Sequence, residues 1–370
     1  MELSPSEDKL IPPPEENVAF RSGKYLWLLL LLVPCFSTAS FAQSDQYNVI
    51  NLGPMPGQSG MPRGINNSGH VVGRSGTEFN TDTRGFIWRG ENQIQQLASL
   101  PGGDFSEGVS INEFGDVVGS SNSKAHLRAL LWTREGQMRD LGTAPGDSGA
   151  RATSINRSGQ VVGSSFGQHG VNAFLWTKKD GMQSLTPLAA SDFSEATSIN
   201  NAGLIAGISG LAHGDHRAIV WENAATVKDL GVLSSDSESE SYAINNQGQV
   251  VGESSGSSGM HAFIWSDKGG MRSLGSLPGG EGFSMALGIN NSGQVVGTAA
   301  TSTGASHAFI STSRSGMRDL NDLIPADSEI LLVAAVGIND RGQIIAYGGN
   351  RDTFDHDTPS SVYLLTPKGG

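Results

Sequence analysis

The chain has 370 residues, 50 of them glycine, with 37% apolar and 16% charged residues and a formal charge of −12. Glycine costs roughly 1 kcal/mol in a helix interior, whereas tight turns between strands need residues that accept positive φ. So much glycine excludes a mainly helical protein and points to an all-β class. With 24 basic residues against 36 acidic ones, the balance also argues against a nucleic-acid partner, which calls for clustered lysine and arginine.

The first segment stands apart. Residues 1–42 form an acidic extension, then Arg21 and Lys24, an apolar run from Tyr25 to Phe36, and a small-residue end at Ser40, Phe41 and Ala42. This is the layout of a secretory signal. The run is shorter than the ~20 residues of a spanning helix, so cleavage after Ala42 is expected, with retention as an anchor the alternative. Cys35, the only cysteine, lies inside this segment. The exported part, 43–370, therefore uses no disulfides and has no membrane span of its own after cleavage.

From there on the chain repeats. The dipeptide Ile-Asn, followed by glycine three residues after the Asn, begins at Ile65, Ile111, Ile155, Ile199, Ile244, Ile289 and Ile338, with spacings of 46, 44, 44, 45, 45 and 49. A period of this size marks a propeller, a solenoid or an array. Each copy carries four short apolar segments, named a to d. Segment a ends in Ile-Asn, b is Val-Val-Gly or a close relative, and c ends at Trp88, Trp132, Trp176, Trp221 and Trp265 in five copies. Segment d is centred on Leu97, Leu141, Leu185, Leu230, Leu274 and Leu320.

The seventh copy ends without a segment d, and the matching Val49-Ile50-Asn51-Leu52-Gly53 precedes every other segment. The N-terminal strand is thus expected to complete the last blade and remove an exposed sheet edge. The prediction is a closed seven-bladed β-propeller of four-stranded antiparallel blades, with small-residue segment a innermost; an open solenoid is the alternative.

Between a and b the chain reads Asn-x-x-Gly. Asn bonds its own backbone at the first turn position and Gly takes positive φ, so Asn66, Asn112, Asn156, Asn200, Asn245, Asn290 and Asn339 are read as structural turn residues. The aligned tryptophans are read as core.

The pattern in His261-Ala262-Phe263-Ile264-Trp265, through Leu274-Gly275-Ser276-Leu277-Pro278-Gly279-Gly280, to Ile289-Asn290-Asn291-Ser292-Gly293-Gln294-Val295-Val296-Gly297 resembles the HAF repeat of bacterial extracellular repeat proteins. The likeness spans nearly all of residues 47–366. It implies export and a repeat fold and supplies no catalytic residue. Arg128 and Arg217 replace the histidine in two copies, which speaks against a seven-fold active ring.

Function then rests on what differs between copies. The longer b–c and d–a connections emerge on one face, the expected binding face. Its unit-specific residues are Asp104, Phe105 and Glu107; Asp192, Phe193 and Glu195; His213, Asp215 and His216; and Asp236 and Glu238 in the acidic stretch 236–240. His213-Gly214-Asp215-His216 has donors suited to zinc or nickel but no further partner in sequence, and Asp355-His356-Asp357 is weaker. No metal or cofactor is expected.

Gly252-Glu253-Ser254-Ser255-Gly256 and Gly163-Ser164-Ser165-Phe166-Gly167 match the hydrolase string G-x-S-x-G. Both follow a strand b and lack the strand-turn-helix context that the motif requires. The sequence thus reads as an exported, monomeric, non-catalytic scaffold that binds an extracellular or periplasmic ligand or protein partner. Two alternatives stay open: an extracellular hydrolase or lyase with a channel-mouth site drawing on Asp104, Asp192 and His216, and a structural surface protein.

Overall fold

In a computed structural model, the described residues are 46–52, 59–76, 83–90, 94–123, 126–168, 170–188, 191, 193–211, 214–353 and 361–369. The leader-like segment, Asp192, His213 and residues 355–357 lie outside them. Among the described residues there are seven four-stranded sheets. Six are built from consecutive strands, each paired antiparallel to the next.

The seventh has the order that the orphan segment demanded. Tyr47–Asn51 pairs antiparallel with Ser361–Pro367, from Tyr47 opposite Pro367 to Asn51 opposite Tyr363. The N-terminal strand closes the ring. The only helical element among the described residues is a 3-10 turn, Leu320–Asp322, and among those residues no helix is long and apolar enough to cross a membrane.

The strands read as short apolar runs because a blade is buried on both faces. Phe86, Phe174, Phe263 and Phe309 of the third strands are fully buried, and Trp132, Trp176, Trp221 and Trp265 nearly so. Trp132 Nε1 and Trp221 Nε1 also donate to the carbonyls of Ala98 and Thr186, at 3.0 and 2.6 Å. The glycine of Val-Val-Gly marks a close approach. A Cβ on Gly207 would lie 2.2 Å from the Glu195 carbonyl oxygen and 2.4 Å from the Trp221 ring, so only glycine lets the inner strand and the tryptophan meet across it.

One detail of the sequence reading shifts. The outer strands stop before their leucines, as in Ile94–Gln96 and Met138–Asp140. Leu97 and Leu141 follow, buried, and their N–H groups donate to Gly85 and Ala129 of the third strand at 2.7 and 3.0 Å. The leucine is a plug between blades rather than the centre of a strand.

Candidate functional site

The innermost strands are Gly60–Ile65, Ser106–Ile111, Asp147–Ile155, Ser194–Ile199, Asp236–Ile244, Ser284–Ile289 and Ile330–Ile338. Each carries a register break of one residue near its end, at Arg63, Val109, Thr153, Thr197, Tyr242, Leu287 and Val336. A β-bulge re-aims the extra side chain, and all seven bulge residues line a central chamber of about 560 Å³. A second basin, of about 400 Å³, is lined on the short-turn side by the residues around each Asn. The isoleucines of the Ile-Asn pairs lie between the two, and Ile65, Ile111, Ile244, Ile289 and Ile338 line both.

On the short-turn side each buried Asn does more than shape its own turn. The Asn200 side-chain oxygen accepts the N–H groups of Ala202 and Leu204, both at 3.0 Å. Its amide nitrogen donates to the Asn245 carbonyl of the next blade at 3.0 Å. The same inter-blade bond runs from Asn66 to Asn112, Asn156 to Asn200, Asn245 to Asn290, Asn290 to Asn339, and Asn339 back to Asn66. Hairpin chemistry alone therefore does not exhaust the role of these residues. The Gln that follows the turn Gly is explained too, since Gln160, Gln249, Gln294 and Gln343 accept the second amide hydrogen.

One joint departs from the ring. The Asn112 amide goes to Asp116 Oδ2 of its own hairpin at 3.1 Å, and at that joint Arg157 of blade 3 lies over the exposed Phe114 ring, 5.7 Å from its centroid. A second, more exposed set of bonds accompanies the first at six joints, where the N–H of the residue after the Asn donates to a side-chain oxygen of the following blade, as Asn201 N–H does to Asn246 Oδ1 at 2.9 Å. Burial raises the Asp340 carboxyl, but hydrogen bonds from the Asn291 backbone and from the Asn67 and Asn291 amides win and hold it below the usual range.

The opposite face carries the described ones among the residues singled out in sequence, and it is irregular. Asn122 Oδ1 accepts the N–H groups of Asp104 and Phe105 at 3.0 and 2.8 Å, while the Asp104 carboxylate accepts from Asn122 Nδ2 at 2.5 Å. Glu107 pairs with Arg63 at 2.7 Å and lies 3.9 Å from Arg74. Glu195 pairs with Arg151. Phe193 packs on the His216 ring, centroids 5.0 Å apart, and the Asp215 carbonyl takes the Leu211 N–H at 2.8 Å.

The Glu238 carbonyl accepts from Ser254 Oγ at 3.2 Å. Asp236 is not displayed on a loop, because its side chain is 1% exposed at the start of the inner strand, with His261 Nδ1 at 3.8 Å. Glu107, Glu195 and the His216 neighbourhood belong to three different inter-blade joints. Asp104 and His216 likewise have separate surroundings, Asp104 hydrogen-bonded to Asn122 and His216 in ring contact with Phe193. Among the described residues no group of three or more His, Cys, Asp or Glu side chains converges as metal ligands.

The densest electrostatic feature was not singled out in sequence. Glu240 and Glu253 face each other across adjacent strands of blade 5, and Tyr242 donates to Glu240 Oε2 at 3.1 Å. Glu253 is 6% exposed and its Oε2 has no hydrogen-bond partner. Burial first, then the Glu240 charge, pushes the Glu253 carboxyl up to about 7; the Tyr242 hydrogen bond opposes this and Glu238 adds to it. Burial and the two carboxylates push the Tyr242 phenol up as well. The signal was present in the chain: Glu253 stands where other copies have Ser120, Ser164 or Thr298, and Tyr242 where they have Thr153 or Thr197.

No protein-family model and no curated protein matches the chain. Solved structures do. Virginiamycin B lyase from Staphylococcus aureus superposes with a TM-score of 0.56 at 12% identity, over 87% of this chain and 99% of that one. This is a seven-bladed β-propeller. YCF48, in a complex with D1 peptide, aligns with a TM-score of 0.51 at 10% identity over 90% and 100% of the two chains. The propeller domain of the Trilobed protease from Pyrococcus furiosus aligns with a TM-score of 0.50 at 10% identity over 84% and 94%. At such identities the likeness is one of fold, and the propellers concerned do different things.

Proposed function

We propose that the protein is an exported, non-catalytic propeller scaffold of the HAF-repeat type, which docks an extracellular or periplasmic ligand or protein partner on its long-loop face and in the chamber behind it. One observation carries this reading. The residues that recur in every copy are consumed inside the ring, in turns, glycine contacts and inter-blade bonds, whereas those that differ gather on the other face and around the chamber. Variable side chains on a rigid frame are the usual form of a recognition surface. The YCF48 propeller in complex with D1 peptide is a parallel for a ring that receives a peptide segment. Export rests on the leader-like layout of residues 21–42 and on the HAF-like register.

The test is thermal unfolding of the protein against oligosaccharides, peptides and divalent cations. A ligand at 100 times its Kd stabilises by about 2.7 kcal/mol. The expected shift disappears in an Asp104→Ala/Glu238→Ala variant and survives Asn201→Ala on the opposite face. Chemical conversion of any bound ligand overturns the non-catalytic assignment, and an intact N-terminus on the secreted protein overturns cleavage after Ala42.

A further inference from the structure

Glu107, Glu195 and Glu240 occupy one register position, four residues before the Ile of Ile-Asn, in blades 2, 4 and 5. Two of the three come with a built-in arginine. Glu107 is held between Arg63 and Arg74 of blade 1, and Glu195 by Arg151 of blade 3. By the same register, the blade 4 positions that would serve Glu240 as Arg63 and Arg74 serve Glu107 are Thr197 and Ile208. Among the described residues no lysine or arginine nitrogen pairs with Glu240; its nearest basic group is His216 Nδ1, 3.6 Å from Oε1.

The same place has a second carboxyl. Where Glu107 faces Ser120 across the strand pair and Glu195 faces Ile208, Glu240 faces Glu253. Glu253 is 94% buried in consequence of its 6% exposure, and its Oε2 is orphaned beside Tyr242 and Glu240. A buried carboxylate oxygen without a partner is costly unless a donor arrives. Glu240 remains 32% exposed, against 13% and 19% for the two arginine-paired glutamates. The position is open to a visitor, and Phe193 stacked on His216 adds an aromatic wall at its rim.

We infer that the Glu240–Glu253–Tyr242 cluster between blades 4 and 5 is a binding site for an organic cation, a guanidinium or primary ammonium group, which takes the place that arginine side chains fill at the neighbouring joints. This deepens the binding-face reading and rests on it. The site offers two carboxyl groups and a phenol oxygen as acceptors for charge-assisted hydrogen bonds, with a flat ring beside them, the combination that recognises guanidinium groups. The cation comes either on a basic side chain of a peptide or as a free polyamine, and both present the same chemistry to Glu240. A divalent metal is disfavoured because no third ligand converges there.

The experiment titrates the whole protein by calorimetry with four probes: an acetylated Gly-Arg-Gly amide, its citrulline counterpart, spermidine and calcium. The arginine peptide binds saturably and the citrulline peptide, equal in shape but uncharged, does not. Glu240→Gln or Glu253→Gln weakens binding by about tenfold or more, the scale of one charge-assisted bond. Ile208→Arg, which supplies from blade 4 the cation that blade 1 supplies from Arg74, abolishes it, with the fold checked by circular dichroism.

Binding also tightens as pH rises through neutrality in the wild type and loses that dependence in Glu253→Gln. The ionisable side chains around Glu253 are Glu238, Glu240 and Tyr242, with His216 beyond Glu240. Spermidine binding without peptide binding assigns the site to free amines, and the reverse assigns it to peptides. Equal binding of the citrulline peptide, or calcium binding that Glu240→Gln removes, overturns the inference. If no cation binds while another ligand shifts the melting curve through the long-loop face, the cation site falls and the binding face stands; a face that engages nothing overturns both.

Discussion

Across the short-turn side, six of the seven blade joints are made by one repeated bond from an Asn amide to the next Asn carbonyl. On the other side a serine near the start of the inner strand accepts an N–H from the preceding blade at four joints, but the charged contacts beside it differ: Arg63 and Arg74 on Glu107, Arg151 on Glu195, His216 near Glu240. The two sides share the same strands, so backbone geometry does not account for the contrast. It lies in which atoms the repeat commits. A turn Asn has both ends of its amide engaged and buried, which leaves little room for change, while Glu107, Glu195 and Glu240 keep part of their side chains in water and tolerate substitution.

This contrast orders the expected effects of mutation. The largest is Asn200→Ala, which orphans the Ala202 and Leu204 N–H groups and the Asn245 carbonyl; about 3 kcal/mol of stability should be lost in urea unfolding. Next is Glu253→Gln. With its carboxyl raised from 4.5 to about 7, Glu253 contributes stability that is complete below its unfolded pKa and is lost as pH rises through about 7. Relative to wild type, Glu253→Gln should therefore gain about 3 kcal/mol between pH 4 and pH 9, read from melting curves across that range.

Asn112→Ala sharpens the comparison within the short-turn side. Because the Asn112 amide stays inside its own hairpin, its loss should cost about 1 kcal/mol less than that of Asn200. Equal costs would show that the inter-blade bond contributes nothing. Glu107→Ala should cost about 1 kcal/mol or less, since Arg63 is 39% exposed and water screens the pair. Phe114→Ala should cost about 0.5 kcal/mol, the scale of an exposed cation–π contact, when chemical denaturation midpoints are compared.

The fold was legible because every copy repeats its turn chemistry and its buried strands in register, and because the orphan segment at Val49–Leu52 could only complete the sheet that lacked a strand. The second role of the turn Asn was harder to see. Its partner lies 44 to 49 residues ahead in five of the six bonds, and across the ring closure in the sixth, outside any reading of a single hairpin, although the distance in the five is the repeat period itself. Asp236 looked like a loop residue because it opens an acidic stretch, yet the inner strand of blade 5 begins there and buries it. Glu253 lay inside a string resembling a hydrolase motif, and setting that string aside for its context also passed over the residue. Its meaning depends on Glu240 across the strand and on the missing arginine of blade 4, which show only when the copies are compared position by position with the strand pairing in hand.

The closing strand has a mechanical consequence. Tyr47, where the chain enters the ring, lies opposite Pro367, where it leaves. A pull on the two connecting segments would load one cross-strand pair at a time, from Tyr47 towards Asn51, rather than all pairs together. The seventh blade would peel open like a zipper at low force, while the other six hold their strands through covalent hairpins. A ring tethered at one end and tugged at the other would yield first at this seam.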